Sequence, residues 1–477
     1  MKEGIIALGD VVIDLSIYPR EKWSSATVNV YADAIKGGAK FPQIILEEGT
    51  NRLLDGLHRI KAHQKYAEMY SDKKDNANND DHDPIENWSE PIQKIAAIWH
   101  VIPGEIPDKL YAASLSSKHG VRFKPEEMRT LTREIYQSNP EFKLKTVKEF
   151  LNISMGTVHG YVADILAQRR EEQKMTALRL HLLGWTQDEI GESVGMSQRS
   201  IGKFLEEFSD LKKLLKNLMA EGHLHTDIAK RYNMPLILVW ALDLADRNDE
   251  QRMERLKIKV QPYDVWNFNG VNDLFGAQYP GRIPGDLIAH VLYFFTEPEA
   301  MVVDPMVGSG TTIDVCLALG RECYGYDIAN QHARSDVIEH NLKDGWHNRL
   351  KKADMIFWDP PYFEKMDVGY GEESISKLSR EEYLEFFRQR FREAAETTKK
   401  GAKLAFLMSD WDDNTGNREG IFLWDYTQLI KEAGWYILRH IQTPLPTQQV
   451  HADIVNKFRK SRRLARLERY LIIAEKR

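Results

Sequence analysis

The sequence predicts a multidomain protein of three parts: a small α/β module over 1–109, an all-α helix-turn-helix region over 110–255, and a C-terminal Rossmann-like α/β sheet over 256–477. Three observations lead there. A chain of 477 residues exceeds what one core of ordinary size accommodates. From about 110 to 245 the apolar residues recur at helical spacing. Beyond 262, continuous apolar strands alternate with amphipathic helices, the pattern of a largely parallel sheet covered on both faces.

Composition narrows the class. With 42% hydrophobic and 29% charged residues the chain reads as globular. No apolar stretch is long enough to cross a bilayer, and the start lacks the regions of a secretory signal, so a cytoplasmic protein without membrane attachment is expected. Cys316 and Cys323 have no partners at metal spacing, so no metal site and no disulfide framework is expected. The net charge of −6 excludes a uniformly basic coat but not local patches. One such patch, "NKFRKSRRLARLER" at 456–469, reads equally as a solvated helix face or as a phosphate-contacting rim that includes Arg462 and Arg463.

Taken in order, residues 1–70, with "VVIDLSIYP" and then "FPQIILEEGTNRLLDGLHRIKAHQKYAEMY", give a strand, a Gly-containing turn, a second strand and a helix. The polar stretch 71–90 reads as an exposed insertion or a linker. Three helix-turn-helix units follow, at 145–166, 184–205 and 222–242. In the second, Ser197 is a good N-cap, and Gln198, Arg199, Ser200 and Lys203 fall on the exposed side, as DNA contacts in a major groove require; the same geometry also occurs in plain helical bundles, and tandem repetition favours DNA. In the third, apolar "PLILVWAL" occupies the recognition position, which favours core packing.

In the C-terminal part, "DPMVGSGTT" at 304–312 closes an apolar strand and opens a helix. Gly308 and Gly310 allow backbone to approach a ligand closely. The next strand, "YGYD", ends in Asp327, at a spacing suited to gripping ribose hydroxyls, so an adenosine-bearing cofactor is expected. "IFWDPPYF" at 356–363 ends a buried strand on two prolines, which hold Asp359 outward beside the Pro360 carbonyl. These two acceptors suit a single exocyclic amino group, with Tyr362 as a stacking face, although the tetrapeptide by itself reads equally as a tight turn after a buried strand. Accepting both amino hydrogens draws the nitrogen lone pair out of conjugation and makes a poor nucleophile usable.

Two resemblances rest on these residues. "DGLHRIKA" at 55–62 resembles the Gly-x-x-Arg-x-x-Ala box of the ParB/sulfiredoxin-like superfamily, and the similarity covers about 1–170. It implies DNA binding and a nucleotide site near Gly56, His58 and Arg59, although the second box of that family, expected near 116–122, lacks its Glu and Asn. His58 and Arg59 read equally as structural or DNA-contacting groups. "DPMVGSGTT", Asp327 and "DPPYF" together resemble the amino-methyltransferases that act on N6 of adenine or N4 of cytosine, over about 262–477. That resemblance implies S-adenosylmethionine held by Asp304, Pro305, Met306, Gly308, Ser309, Gly310, Thr311, Thr312, Asp327 and Ile328. It also implies a target amine engaged by Asp359, Pro360, Pro361 and Tyr362. "YPGRIPGDLIAHVL" at 279–292 resembles the segment over the methionine end of the cofactor, and "VWNF" at 265–268 is either an adenine cap or core.

Within the amino-methyltransferase resemblance, Asp in the first position of the box implies adenine over cytosine. Little sequence remains after it for a separate target-recognition domain, so double-stranded DNA is expected to dock on the helix-turn-helix array and the basic 456–469 segment. A bacterial or phage modification enzyme is the expectation. A second copy of the chain is a candidate partner, and the alternatives are a ParB-like partition protein with a vestigial catalytic half, or an N4-cytosine or RNA methyltransferase.

Overall fold

The computed structural model describes the whole chain except residues 1, 21, 76–87, 120–122, 269, 279–281, 365–372, 413–417, 446–451, 463 and 465–466. Most of the stretch 71–90, part of 116–122, the start of 279–292 and Arg463 therefore lie outside the described residues. The chain divides into two compact units, Met1–Arg170 and Glu171–Arg477.

The first unit contains β1 (Lys2–Ala7), α1 (Ser25–Lys36), β2 (Ile44–Glu47), β3 (Leu53–Asp55), α2 (Leu57–Asp75) and β4 (Lys94–His100). They form a mixed four-stranded sheet of order β1-β4-β2-β3, with β2 parallel to β4 and the other pairs antiparallel. The strand expected in "VVIDLSIYP" is a single bridge from Val12 to Arg52. Asp14 Oδ1 accepts the Ser16 N–H (2.9 Å) and turns the chain there, which a pattern of apolar residues does not reveal. Four helices follow: α3 (Asp108–His119), α4 (Pro125–Ser138), α5 (Leu144–Leu151) and α6 (Met155–Leu182), the last running through the division. Between α5 and α6, Asn152 adopts φ 52° and the Ser154 hydroxyl caps α6 by accepting the Thr157 N–H (3.0 Å).

The second unit begins with the end of α6, followed by α7 (Gln187–Val194), the long α8 (Gln198–Ala220), α9 (His225–Arg231), α10 (Leu236–Leu244) and α11 (Asp249–Arg255). Then come α12 (Gly285–Phe295), β5 (Met301–Asp304), α13 (Thr311–Leu319), β6 (Glu322–Asp327), β7 (Val337–Glu339), β8 (Met355–Trp358) and α14 (Arg380–Thr397). The unit closes with β9 (Lys403–Met408), α15 (Leu423–Glu432), β10 (Trp435–Gln442), α16 (Ala452–Ser461) and β11 (Tyr470–Lys476). The sheet order is β10-β11-β9-β8-β5-β6-β7; the five strands from β9 to β7 are mutually parallel and β11 runs antiparallel to both its neighbours. From β5 the chain moves to β6 on one side, while β8 pairs on the other. The turns leaving the C-terminal ends of β5 and β8 thus meet at the switch point where such sheets bind ligands.

Two features set this sheet apart. The crossover from β6 to β7, residues 328–336, contains no helix, although "QHARSDVIEHNL" lies where the alternating pattern calls for one. The helices of 171–255 are instead built into the sheet. The Cys323 N–H donates to the Leu183 carbonyl (3.1 Å), Trp185 stacks on Tyr324 at 5.1 Å, and α10 buries Ile237, Leu238, Val239, Ala241, Leu242 and Leu244. One apolar core runs from Ala177 to Ala474. The helical region expected over 110–255 is thereby shared between the two units.

Candidate active site

β5 ends on Asp304, which is 2% exposed. Its Oδ1 accepts the Met306 N–H (3.0 Å) and its Oδ2 accepts the Thr312 hydroxyl (2.6 Å), so the strand end is tied to the first turn of α13. Between these anchors Gly308 (φ 51°) and Gly310 (φ 82°) take left-handed backbone. A Cβ on Gly308 would meet open space, whereas one on Gly310 would collide with the Arg334 guanidinium. β6 ends on Asp327, whose Oδ2 accepts the Gly308 N–H (2.8 Å), and the Val307 N–H donates to the Tyr326 carbonyl (2.8 Å). Burial raises the Asp327 carboxyl above its ordinary range, an effect partly offset by the amides of Gly308, Ala329 and Ile328.

β8 ends on Asp359. Tyr362 donates its hydroxyl to Asp359 Oδ1 (2.9 Å), and Tyr383 of α14 donates to the Pro361 carbonyl (3.0 Å). Phe363 is buried against Tyr383 and Trp411, with ring centroids 5.2 and 4.8 Å apart. The corner is therefore braced from below as well as by its prolines.

These turns border one cavity of about 440 Å3, a volume within the range of small-molecule sites. Of the residues singled out from sequence, Asp304, Pro305, Met306, Gly308, Ser309, Thr311, Thr312, Asp327, Ile328, Asp359 and Pro361 line it. Gly310, Pro360 and Tyr362 do not: Gly310 backs the turn, Pro360 is buried, and Tyr362 reaches the site through its bond to Asp359. Arg282, Ile283, His332, His340, Asn341 and Glu373 also line the cavity. His340 and Asn341 follow the end of β7, the next parallel strand, so the strand register could have pointed to them. Glu373 had no local signal.

An adenosine-bearing cofactor fits this lining. Ile328 is 46% exposed next to Asp327, offering an apolar face beside a carboxylate, and the backbone at Gly308 opens on free space. Burial pushes the Asp304 carboxyl up to about 7 from 3.8, against the hydrogen bonds from Thr312 and Met306 and reinforced by the nearby charges of Asp359 and Asp327. Between these values the folded state holds a proton that the unfolded state releases, so stability falls as pH rises from about 4 to about 7. The loss amounts to at most ~4 kcal/mol. In Asp304→Asn, whose Oδ1 can still accept the Met306 N–H and whose Nδ2 can donate to the Thr312 hydroxyl in place of accepting from it, that slope is expected to disappear. Unfolding free energies of both proteins across this pH range check it.

The other candidate residues lie apart from the cavity. Ser197 caps α8, its hydroxyl accepting the Ser200 N–H (3.3 Å), and Gln198, Arg199, Ser200 and Lys203 are exposed. Gly195 ends α7 at φ 66°. The third unit packs its α10 into the core. Arg462 is exposed just past α16, and the connection carrying it leaves β10 and enters β11 at the end of the sheet where β8 leads into Asp359. In the first unit, Gly56 (φ 110°), His58 and Arg59 border a small cavity of about 80 Å3. Arg59, expected near phosphates, donates from Nη1 to the Pro42 and Gln43 carbonyls (2.9 and 2.6 Å) and from Nη2 to Asp55 (2.6 Å). His58 Nε2 accepts the Ser24 N–H (2.9 Å), and burial lowers its pKa. Trp266 of "VWNF" is buried, with its Nε1 donating to the Gln261 carbonyl (3.1 Å), and it serves as core. Among the described residues no helix is long and apolar enough to cross a membrane.

Comparison with known proteins bears on this site. A family model described as DNA methylase, of N6/N4 type, matches residues 16–338 and 353–476. The type II methyltransferase M.BglII of Bacillus subtilis is 37% identical over 73 residues, 15% of this chain and 20% of that protein, so the match spans a fifth of the relative's length. Among solved structures, TrmN from Thermus thermophilus aligns at 14% identity over 41% of this chain and 49% of its own, with a TM-score of 0.26. Geranyl diphosphate C-methyltransferase from Streptomyces coelicolor A3(2), solved with S-adenosyl-L-homocysteine, aligns at 12% identity over 40% of this chain and 78% of its own, with a TM-score of 0.28. With its Gly-rich turn, acid-ended second strand and Asp-Pro-Pro-Tyr corner on one cavity, the chain belongs to the N6/N4 DNA methylase family, whose methyl donor is S-adenosylmethionine.

Proposed function

We propose that this protein transfers a methyl group to N6 of adenine in double-stranded DNA at a specific sequence. The reading rests above all on one observation: Asp359 and the Gly308–Thr312 turn border the same cavity. The cofactor supplies an electrophilic methyl on a sulfonium. Asp304, Asp327 and the turn between them hold its nucleoside and methionine parts. Asp359 and the carbonyl next to it accept the two hydrogens of the target amine, which frees the nitrogen lone pair for attack. The bound cofactor would supply its methyl to this nitrogen and leave as the thioether, and Asp359 would accept the proton that the nitrogen gives up.

The target base must leave the duplex to reach this corner, at a cost of a few kcal/mol. Stacking on Tyr362 and hydrogen bonds to Asp359 offset part of it. The exposed start of α8, with Arg199 and Lys203, and the basic connection around Arg462 are proposed to hold the duplex, phosphate contacts fixing the register and α8 reading base edges. The ParB-like reading of the first unit is proposed as DNA contact without nucleotide, because Arg59 and His58 are committed to internal partners.

Mass spectrometry of nucleosides from plasmid DNA incubated with protein and labelled cofactor tests the proposal. Labelled N6-methyladenine is expected. Labelled N4-methylcytosine would move the target to cytosine, label only in an RNA acceptor would overturn DNA as substrate, and no label in either would overturn the enzymatic reading of the chain.

A further inference from the structure

Four charged side chains that do not line the cavity meet behind its Gly-rich turn. Arg334, on the helix-less crossover, donates from Nε and Nη2 to the two oxygens of Asp336 (2.9 Å each) and from Nη2 to Asp314 Oδ1 (2.8 Å). Its Nη1 reaches the Ser309 carbonyl and Asp314 Oδ2 (3.2 Å each). Arg179, near the end of α6, pairs with both Asp314 and Asp336. The cluster balances two guanidiniums against two carboxylates that are 4% and 2% exposed. Burial acts to raise the Asp336 carboxyl, but Arg179 and Arg334 outweigh it and hold the group below its ordinary range.

What this cluster holds is the wall of the cavity. Ser309 lines it, and Gly310 lies so close to the guanidinium that no side chain fits there. Asp314 Oδ2 also accepts the Gly276 N–H (2.7 Å), while Arg282, which lines the cavity, donates to the carbonyls of Phe275 and Gly276 (3.0 and 2.9 Å). Two segments far apart in sequence are thus pinned to one planar fork. We infer that Arg334 is a positioning residue for the cofactor, fixing the Ser309 turn directly and the Gly276–Arg282 segment through Asp314, with Arg179 as the anchor that ties this arrangement to α6. The wall is set before ligand arrives, so less ordering remains to be done on binding. This inference rests on the reading of the cavity as the S-adenosylmethionine site.

Arg334→Lys keeps the charge but not the fork, and one ammonium cannot serve Ser309, Asp314 and both oxygens of Asp336. The KM for S-adenosylmethionine and the Kd for S-adenosylhomocysteine are expected to rise about tenfold, the size of a lost hydrogen bond to a charged group, with kcat changed by less than about threefold. Arg179→Lys, one bond further from the cavity, is expected to raise both by about threefold. Arg252→Lys serves as control. Arg252 is a buried fork donating to the carbonyls of Leu244 and Leu319 (3.1 and 2.6 Å), away from the cavity lining, so its replacement should lower the melting temperature and leave KM unchanged. Unchanged cofactor affinity in folded Arg334→Lys overturns the inference, as does an equal rise in KM for Arg252→Lys. Should Arg334→Lys fail to fold, Arg179→Lys decides, an unchanged KM there overturning it. If the unsubstituted protein binds neither ligand, it is the cofactor site that fails and not this inference alone.

Discussion

Asp359→Ala is expected to abolish methyl transfer, lowering kcat by a factor on the order of 10^3 or more, while leaving DNA affinity and S-adenosylhomocysteine affinity within about threefold. The size follows from what the carboxylate does. It is the charged acceptor at a corner that cannot relax, since two prolines, the Tyr383 hydroxyl on the Pro361 carbonyl and buried Phe363 all brace it. Tyr362→Phe separates the parts of the corner: it removes only the hydroxyl that donates to Asp359 and keeps the ring, so most activity should survive. Single-turnover rates with filter binding of DNA and calorimetry of S-adenosylhomocysteine check all three quantities. Loss of DNA binding in parallel with activity would count against a corner dedicated to the target amine.

The second large effect concerns folding. A fragment of residues 256–477, the catalytic domain as the sequence pattern delimits it, is expected to give no cooperative unfolding transition, whereas 171–477 is expected to fold. The shorter fragment lacks the Leu183 carbonyl that pairs with Cys323, Trp185 stacked on Tyr324, and Asp249, which forms an ion pair with the fully buried Arg321. Removing Asp249 leaves a buried charge without its partner. The buried face of α10 alone contributes ~10 kcal/mol, counting its five large apolar residues at about 2 kcal/mol each. That is comparable to the whole net stability of a domain. Circular dichroism melts of both fragments check it; a sharp transition in 256–477 would show that the helices are accessories.

How much of this was legible depended on how local the information was. "DPMVGSGTT", Asp327 and "DPPYF" could be read because each strand end and the turn leaving it are adjacent in sequence, and the switch-point topology then brings them together. The burial of α10 could be read from "PLILVWAL" in the same way. The strand expected in "VVIDLSIYP" failed because one short side-chain bond, Asp14 to Ser16, redirects the backbone. The missing helix between β6 and β7 was hidden for a different reason. Arg334 and Asp336 are drawn into an ion cluster with Arg179, a residue 157 positions from Asp336, and no window of sequence contains both. The same distance hid the boundary at Arg170, since the helices after it belong to the sheet through contacts with residues that come much later.

The helix-less crossover has a consequence for how the protein comes off the ribosome. Its sheet must borrow a flank made some 138 to 159 residues earlier, as Trp185 with Cys323 and Thr176 with Ser335 illustrate. The borrowed helices emerge first and wait for their strands. Closing so long a loop is slow, and until it closes the edge of β6 and the apolar side of α10 stand open to other chains. Synthesis at low temperature or with chaperones in excess should therefore favour yield far more than any change near the cavity would.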